Sequence, residues 1–282
     1  MIRKALIPIA GLGTRLLPVT SVVPKGLFPL VDGTGRLRAV VHWILCEARA
    51  GGINQAALVV SPGQRELLER YFEAARKAPG ADLPDQIEYI LQPRSEGFGE
   101  AVLRGSEFIG GDEPAFMLLL GDHVHVRAPG CPACAAQVGL AFSTWGGTAM
   151  VGMQTVGPAD LHLVGAAGGE CVADAIYRCR DFIEKPDLDA ARKRLLTPGL
   201  SADEFLAHCG IYIFTPEIFD CLAELARGER RPGQEIQLAD AQSMLLGRHP
   251  RDYYLVRIAG RSMDTGTPAG YAAAQAAMAG MR

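Results

Sequence analysis

No apolar run in this 282-residue chain approaches the roughly 18–20 residues that cross a bilayer, so no membrane-spanning helix is expected. Charge of one sign is not in excess either. The chain has 28 Lys and Arg against 31 Asp and Glu, a formal net charge of −3, so a nucleic-acid polymer is not an expected partner. A local basic cluster could still hold one polyphosphate. Heptads, internal repeats and low-complexity tracts are missing. The start, MIRKALIPIAGLG, has a positive head, but its apolar run is brief, breaks into glycines and lacks a small-residue cleavage pattern. It reads as a first buried strand rather than a signal peptide. A second CxxC or a histidine pair at zinc spacing is lacking. CPAC, with Cys131 and Cys134, could be half a zinc site or a redox pair, but reads as a loop or helix start with two incidental thiols. The seven cysteines, an odd number, are expected to be free thiols, mostly in the core of a cytoplasmic protein.

What is present is enough apolar sequence for a large core: 49% of residues are hydrophobic and 21% charged. Strand-like and helix-like segments alternate through the first half. KALIPIA reads as a strand, RAVVHWILCEARAGG as a helix, NQAALVVS as a strand and GQRELLERYFEAARK as a helix. QIEYILQ, GEAVLRGSEFI and AFMLLLGD continue the pattern as strand, helix and buried strand, with a loop at residues 79–84. This rhythm predicts an α/β fold with a largely parallel sheet and helices on both faces. The second half is less regular. GTAMVGMQTV, CVADAIYRC, HCGIYIFT and DYYLVRI read as strands, and DLDAARKRLL, PEIFDCLAELARG, EIQLADAQSMLLGR and PAGYAAAQAAMAG as helices. No linker divides the halves, so residues 1–282 are expected to form one continuous domain, with the later segments built onto the sheet.

The chemistry concentrates early. The stretch GLGTRLLPVTSVVPKG follows the first strand. Gly11 and Gly13 would let backbone N–H groups approach phosphate oxygens, and Thr14 adds a hydroxyl. Arg15 can fork onto phosphate, and Lys25 adds a point charge behind the stiff Pro24. The dinucleotide motif GxGxxG fails at Leu16 and the P-loop pattern is absent. A lone GxG is often a plain turn, and the two nearby cations favour a phosphate loop.

The full stretch AGLGTRLLPVTSVVPKGLFPLVD resembles the opening signature of the sugar-phosphate nucleotidylyltransferases, and within them most closely that of the bacterial UTP–glucose-1-phosphate uridylyltransferases. It keeps the pattern GxGTRxxPxT, then PK, then a PLVD-like strand. It departs at Gly26, where the family usually has an acidic residue, and in GTGRLRAVVHW after Asp32. QPRSEGFGEAV, LLLGDHVHV, LVGAAGG, FIEKP, CGIYIF and GRSMDTGTPAGY follow in the family's order, so the resemblance spans nearly the whole chain.

It implies a Rossmann-like nucleotidyltransferase fold with an added sugar-binding region. The reaction would join an NTP to a sugar 1-phosphate, giving NDP-sugar and pyrophosphate with Mg2+ as cofactor. It implies that Arg15 steadies pyrophosphate and Lys25 the α-phosphoryl group, with Ala10, Gly11, Gly13 and Thr14 also binding substrate. Gln92 and Gly97 would contact the base, Gly165 and Glu184 the sugar, and Lys185 and Arg261 phosphate; Arg261 stands where the family has a lysine-like position. Asp122 and Asp264 would hold magnesium.

Taken alone, the Gln92 segment could equally be a helix-start loop, and FIEKP any strand-to-turn exit. His123 and His125 could ligate a metal, although ordinary packing is the simpler reading. DTGTP is also common in thymidylyl- and adenylyl-transferring relatives. The base, the sugar and homo-oligomerisation are left open by the sequence. A non-catalytic nucleotide-sugar sensor would not need Arg15, Lys25, Asp122 and Asp264 together, and a glycosyltransferase would usually show a DxD motif, which GDHVHV is not.

Overall fold

The structure, a computed structural model, describes residues 2–111, 113–201, 203–228 and 235–280. Among the described residues no helix is long and apolar enough to cross a membrane.

The first half runs β1 (Lys4–Pro8), a small hairpin of β2 (Pro29–Val31) and β3 (Leu37–Ala39), α1 (Val40–Ala50), β4 (Gln55–Val60), α2 (Pro62–Lys77), β5 (Gln86–Leu91), α3 (Phe98–Leu103), α4 (Ser106–Ile109) and β6 (Phe116–Leu119). The second half runs β7 (His123–Arg127), α5 (Cys134–Trp145), β8 (Ala149–Val156), β9 (Gly165–Ala173), β10 (Ile176–Glu184), α6 (Leu188–Arg194), β11 (Phe205–Phe214), α7 (Glu217–Arg227), α8 (Leu238–Arg248), β12 (Tyr253–Arg257), β13 (Gly260–Asp264) and α9 (Pro268–Ala279).

One nine-stranded sheet, in the order β5-β4-β1-β6-β11-β8-β12-β10-β9, crosses both halves. Strands β5, β4, β1 and β6 pair in parallel, and so do β8 and β12. β11 runs antiparallel to β6 and β8, and β9 and β10 form an antiparallel hairpin at the edge. The central parallel strands β1, β4 and β6 are nearly continuous apolar runs because both faces are covered, whereas the edge strand β5 alternates. In β1, Ala5 and Ile7 face the core beneath α1, α2 and α5, while Leu6 faces the core beneath α3, α7 and α8.

Local differences from the sequence reading have physical causes. CVADAIYRC is not one strand but the turn of the β9–β10 hairpin, because Ala175 takes a left-handed φ of 58° there. GEAVLRGSEFI is two short helices, broken where a side chain at Gly105 would strike Leu6. The helix expected from Glu235 begins at Leu238, after Ile236 has turned back to bond the loop before α3.

Candidate functional site

Ligands of open α/β sheets sit outside the carboxyl ends of the strands, where strand order reverses. Here the chain runs from β1 outward to β4 and β5, then returns to place β6 on the other side of β1. The loops after β1 and β6 therefore meet. The first carries the GxGTR stretch, where Gly13 takes a left-handed φ of 63° and its carbonyl accepts from Thr20 Oγ1 at 2.8 Å. Short helical turns at Thr14–Leu16 and Lys25–Leu27 follow, the second begun by Pro24. The loop after β6 carries Gly121 and Asp122; a side chain at Gly121 would overlap Ile9 and the Pro8 carbonyl, so glycine brings this loop against the end of β1.

The two loops join through Lys25 Nζ, which donates to Asp122 Oδ2 at 2.6 Å. His123 Nδ1 lies 2.9 Å from Asp122 Oδ1. Burial disfavours the Asp122 charge, but His123 and Lys25 more than offset this and hold the carboxyl well below the usual carboxylate range. Asp264 arrives from the far end of the chain on β13. β13 and β7 form a separate antiparallel ribbon in which Asp264 stands opposite His123. Thr265 N–H and Oγ1 both donate to the Asp122 carbonyl, at 2.7 and 2.8 Å, and fasten the two ends together. Among the described residues, Asp122, His123 and Asp264 form the one group of three potential metal ligands, their donor atoms within 4.8 Å of one another. Two convergent carboxylates are hard oxygen donors and suit a hard divalent cation. Each Asp122 oxygen accepts one hydrogen bond and keeps a further lone pair, and a cation there would share the carboxylate with Lys25 and His123.

His125 has a different place. It shares a strand face with His123, as residues two apart do. His123 packs against Gly210 of β11, whereas buried His125 reaches the Cys209 carbonyl through Nε2 at 2.8 Å. Burial pushes the His125 pKa down to about 4. It is a strut between β7 and β11. The CPAC segment leads into α5, with Cys134 buried at its first turn and both thiols free.

A cavity of about 1440 Å3 spans the strand ends. Its wall includes Ala10, Gly11, Arg15 and Lys25 beside Asp122 and Asp264, Gln92 and Gly97 at one end, and Gly165, Glu184, Lys185 and Arg261 elsewhere. Gly13 and Thr14 shape the loop behind this wall and are not part of it. At the first end Gln92 is buried, and Gly97, with φ of 108°, lies so close to Ile236 that a side chain would collide with its carbonyl. In the other direction Gly165 stands opposite Glu184 in the β9–β10 pairing. Lys185 adopts a left-handed φ of 49°, and its ammonium is 3.9 Å from Glu184 Oε1.

Several wall residues escaped the sequence reading, among them Gln154, His208 and Arg257. His208 is the most telling. A Cβ placed on Gly165 would lie 3.3 Å from His208 Nδ1 and 2.8 Å from Glu184 Oε2, so imidazole and carboxylate flank one point of the wall. The only signal was a lone histidine before a glycine in an otherwise apolar strand. Burial lowers the His208 pKa from 6.5 to about 4. In that interval the unfolded chain binds the extra proton and the folded chain does not. The resulting stability is therefore complete above about pH 6.5 and is lost as pH falls toward 4. Because the ring is partly open to the cavity, the expected loss is on the order of 1–2 kcal/mol. Urea unfolding at pH 7 and pH 4.5 should show this drop, and His208→Gln should shrink it; an unchanged drop in the variant would contradict the assignment.

The nucleotidyl transferase family model matches residues 4–280. A UTP–glucose-1-phosphate uridylyltransferase of Bacillus subtilis is 34% identical over 85% of this chain and 79% of its own length. One from Staphylococcus epidermidis is 30% identical over 96% of this chain and 90% of its own. A solved UDP-glucose pyrophosphorylase complexed with UDP-glucose superposes with a TM-score of 0.79 at 26% identity, covering 98% of both chains.

Proposed function

The chain belongs to the nucleotidyl transferase family, and from that premise we propose that it transfers the uridylyl group of UTP to glucose 1-phosphate, forming UDP-glucose and releasing pyrophosphate. The observation that carries the reading is a cavity lined by the cations Arg15 and Lys25, the carboxylates Asp122 and Asp264, and Glu184 with His208. In this reading a phosphate oxygen of the sugar phosphate attacks the α-phosphorus, and the bond to the pyrophosphate oxygen breaks. The nucleophile is already an anion, so the protein's work is alignment and charge neutralisation. Arg15 faces the departing pyrophosphate. Lys25 faces the α-phosphoryl group, held at the cavity wall by Asp122. Asp122 and Asp264 would hold Mg2+, which would supply positive charge to the reacting phosphates. Ala10, Gly11, Gly13 and Thr14 form the loop around the phosphates. Glu184 accepts from sugar hydroxyls beside the Gly165 backbone, and Lys185 and Arg261 meet the sugar phosphate. His208 adds a neutral imidazole to the sugar wall. UTP and glucose 1-phosphate are cytoplasmic metabolites, and we place the protein in that compartment.

A pyrophosphate-release screen of five nucleotides against a panel of sugar 1-phosphates tests this. UTP with glucose 1-phosphate should give the highest kcat/KM. Uracil and thymine share one hydrogen-bonding edge and differ by a methyl group worth about 1 kcal/mol, so the base by itself should favour UTP over dTTP only modestly. ATP and GTP should be poor because a purine is bulkier than the pyrimidine read at the end of the cavity lined by Gln92 and Gly97. A purine nucleotide as best substrate would overturn the base-pocket assignment.

A further inference from the structure

Gln92 has more to say about the base than its presence in the wall. Its side chain lines the cavity, and behind it, outside the wall, lies the buried carboxylate of Glu100 on α3. Gln92 Nε2 donates to Glu100 Oε2 at 2.6 Å and to the Gly97 carbonyl at 3.3 Å. The other Glu100 oxygen faces Arg104 Nε at 2.5 Å, one helical turn on. A carboxylate whose other oxygen meets a guanidinium offers acceptors only. The amide group facing it must therefore be the NH2. Turning the carboxamide over would set Oε1 against two acceptors at once, in a buried place where an unmatched polar contact is expensive.

We propose that Glu100 is a positioning residue that fixes the Gln92 carboxamide with Oε1 toward the base, so that the site admits pyrimidines carrying an N3–H donor and rejects cytosine. The inference rests on the reading of this end of the cavity as the base pocket. Both amide protons of Gln92 are engaged within the protein, which leaves the site a lone acceptor at this point. Uracil and thymine present N3–H to it. Cytosine presents a bare N3, and two lone pairs would face each other; its 4-amino group could reach Oε1 only one ring position out of register. An amide free to turn would offer donor or acceptor on demand and would not distinguish these bases. The carboxylate behind it removes that freedom.

The test is Glu100→Gln, read as the ratio of UTP to CTP. A glutamine at 100 can donate or accept, so Gln92 can turn its amide toward either base. The wild-type protein should bind UTP more tightly than CTP by calorimetry, and prefer it in kcat/KM by about 10²-fold. E100Q should reduce that ratio by at least about tenfold, with the KM for glucose 1-phosphate unchanged. E100D keeps an ionised acceptor and should retain more of the preference than E100Q. The effect should vanish in a Gln92→Ala background, because Glu100 acts through that amide. If E100Q does not fold, Glu100→Ala is read in the same cycle. An unchanged UTP/CTP ratio in a folded Glu100 variant, or equal weakening toward both nucleotides, overturns the proposal. Calorimetry keeps it separate from the functional reading: a protein that binds UTP over CTP through Glu100 but makes no UDP-glucose would sink the reaction and leave the base lock standing.

Discussion

Asp122→Asn and Asp264→Asn are each expected to cut kcat by about 10²- to 10³-fold or more while leaving the protein folded, the scale seen when one preorganised electrostatic contact is removed from a reacting centre. Asparagine keeps the shape and one carbonyl oxygen. At Asp264 that oxygen can still accept from Gly266 N–H, a contact of 2.6 Å that shapes the turn into α9. At Asp122 the backbone carbonyl still receives both Thr265 donors, so the seam between the loop after β6 and the end of β13 survives. What each variant loses is negative charge where two carboxylates meet. The apparent affinity for Mg2+ should fall with turnover. The measurement is steady-state turnover at saturating substrates across a magnesium titration, beside thermal melts. Near-normal kcat in either folded variant at saturating metal would remove that aspartate from the reaction.

The distance between these carboxylates in the chain also shows what a sequence can and cannot convey. Lys25 could be named from its residue type behind the glycine loop, whereas Asp122 and Asp264 could be named only through the family resemblance of the short stretches that carry them. Their meeting could not be derived, because it depends on strand order: β6 returning beside β1, and β13 pairing with β7 so that Asp264 falls opposite His123. The parallel half of the sheet was legible for a local reason. Strands covered on both faces are continuous apolar runs, and helices with one apolar face separate them. CVADAIYRC was read as one strand because Asp174 is the only turn-forming residue in it and Ala175, which takes the left-handed φ, gives no signal in sequence. Glu100 was passed over for a related reason. A glutamate in the first turn of a helix is ordinary, and only its burial against Gln92 makes it unusual. His208 likewise becomes a wall residue only because β11 carries an irregularity between His208 and Tyr212, beside Gly210.

Lys25→Ala is expected to lower kcat by about 10²- to 10³-fold, and Arg15→Ala by less, with the KM for the sugar phosphate little changed in both. The difference follows from how each cation is held. Lys25 is anchored twice: Pro24 begins its helical turn, and its ammonium lies 2.6 Å from Asp122, between side chains only 17% and 25% exposed. A charge fixed in place before the substrate arrives needs no reorganisation when negative charge builds at the α-phosphorus. Arg15 lies on an exposed turn with no ion-pair partner among the described residues, so much of its ordering must come from the polyphosphate itself. Lys25→Arg should not restore the loss. A planar fork replaces the compact ammonium that meets Asp122 Oδ2 at 2.6 Å, and its geometry does not place a single charge at the same point. Removing Lys25 leaves Asp122 with His123 as its remaining partner, so the carboxylate stays compensated and the protein should fold. Single-turnover pyrophosphate release separates the chemical step from binding and product release. A Lys25→Ala protein with wild-type single-turnover rate and only a raised KM would place Lys25 in ground-state binding, and the charge facing the α-phosphoryl group would then have to come from elsewhere on the cavity wall.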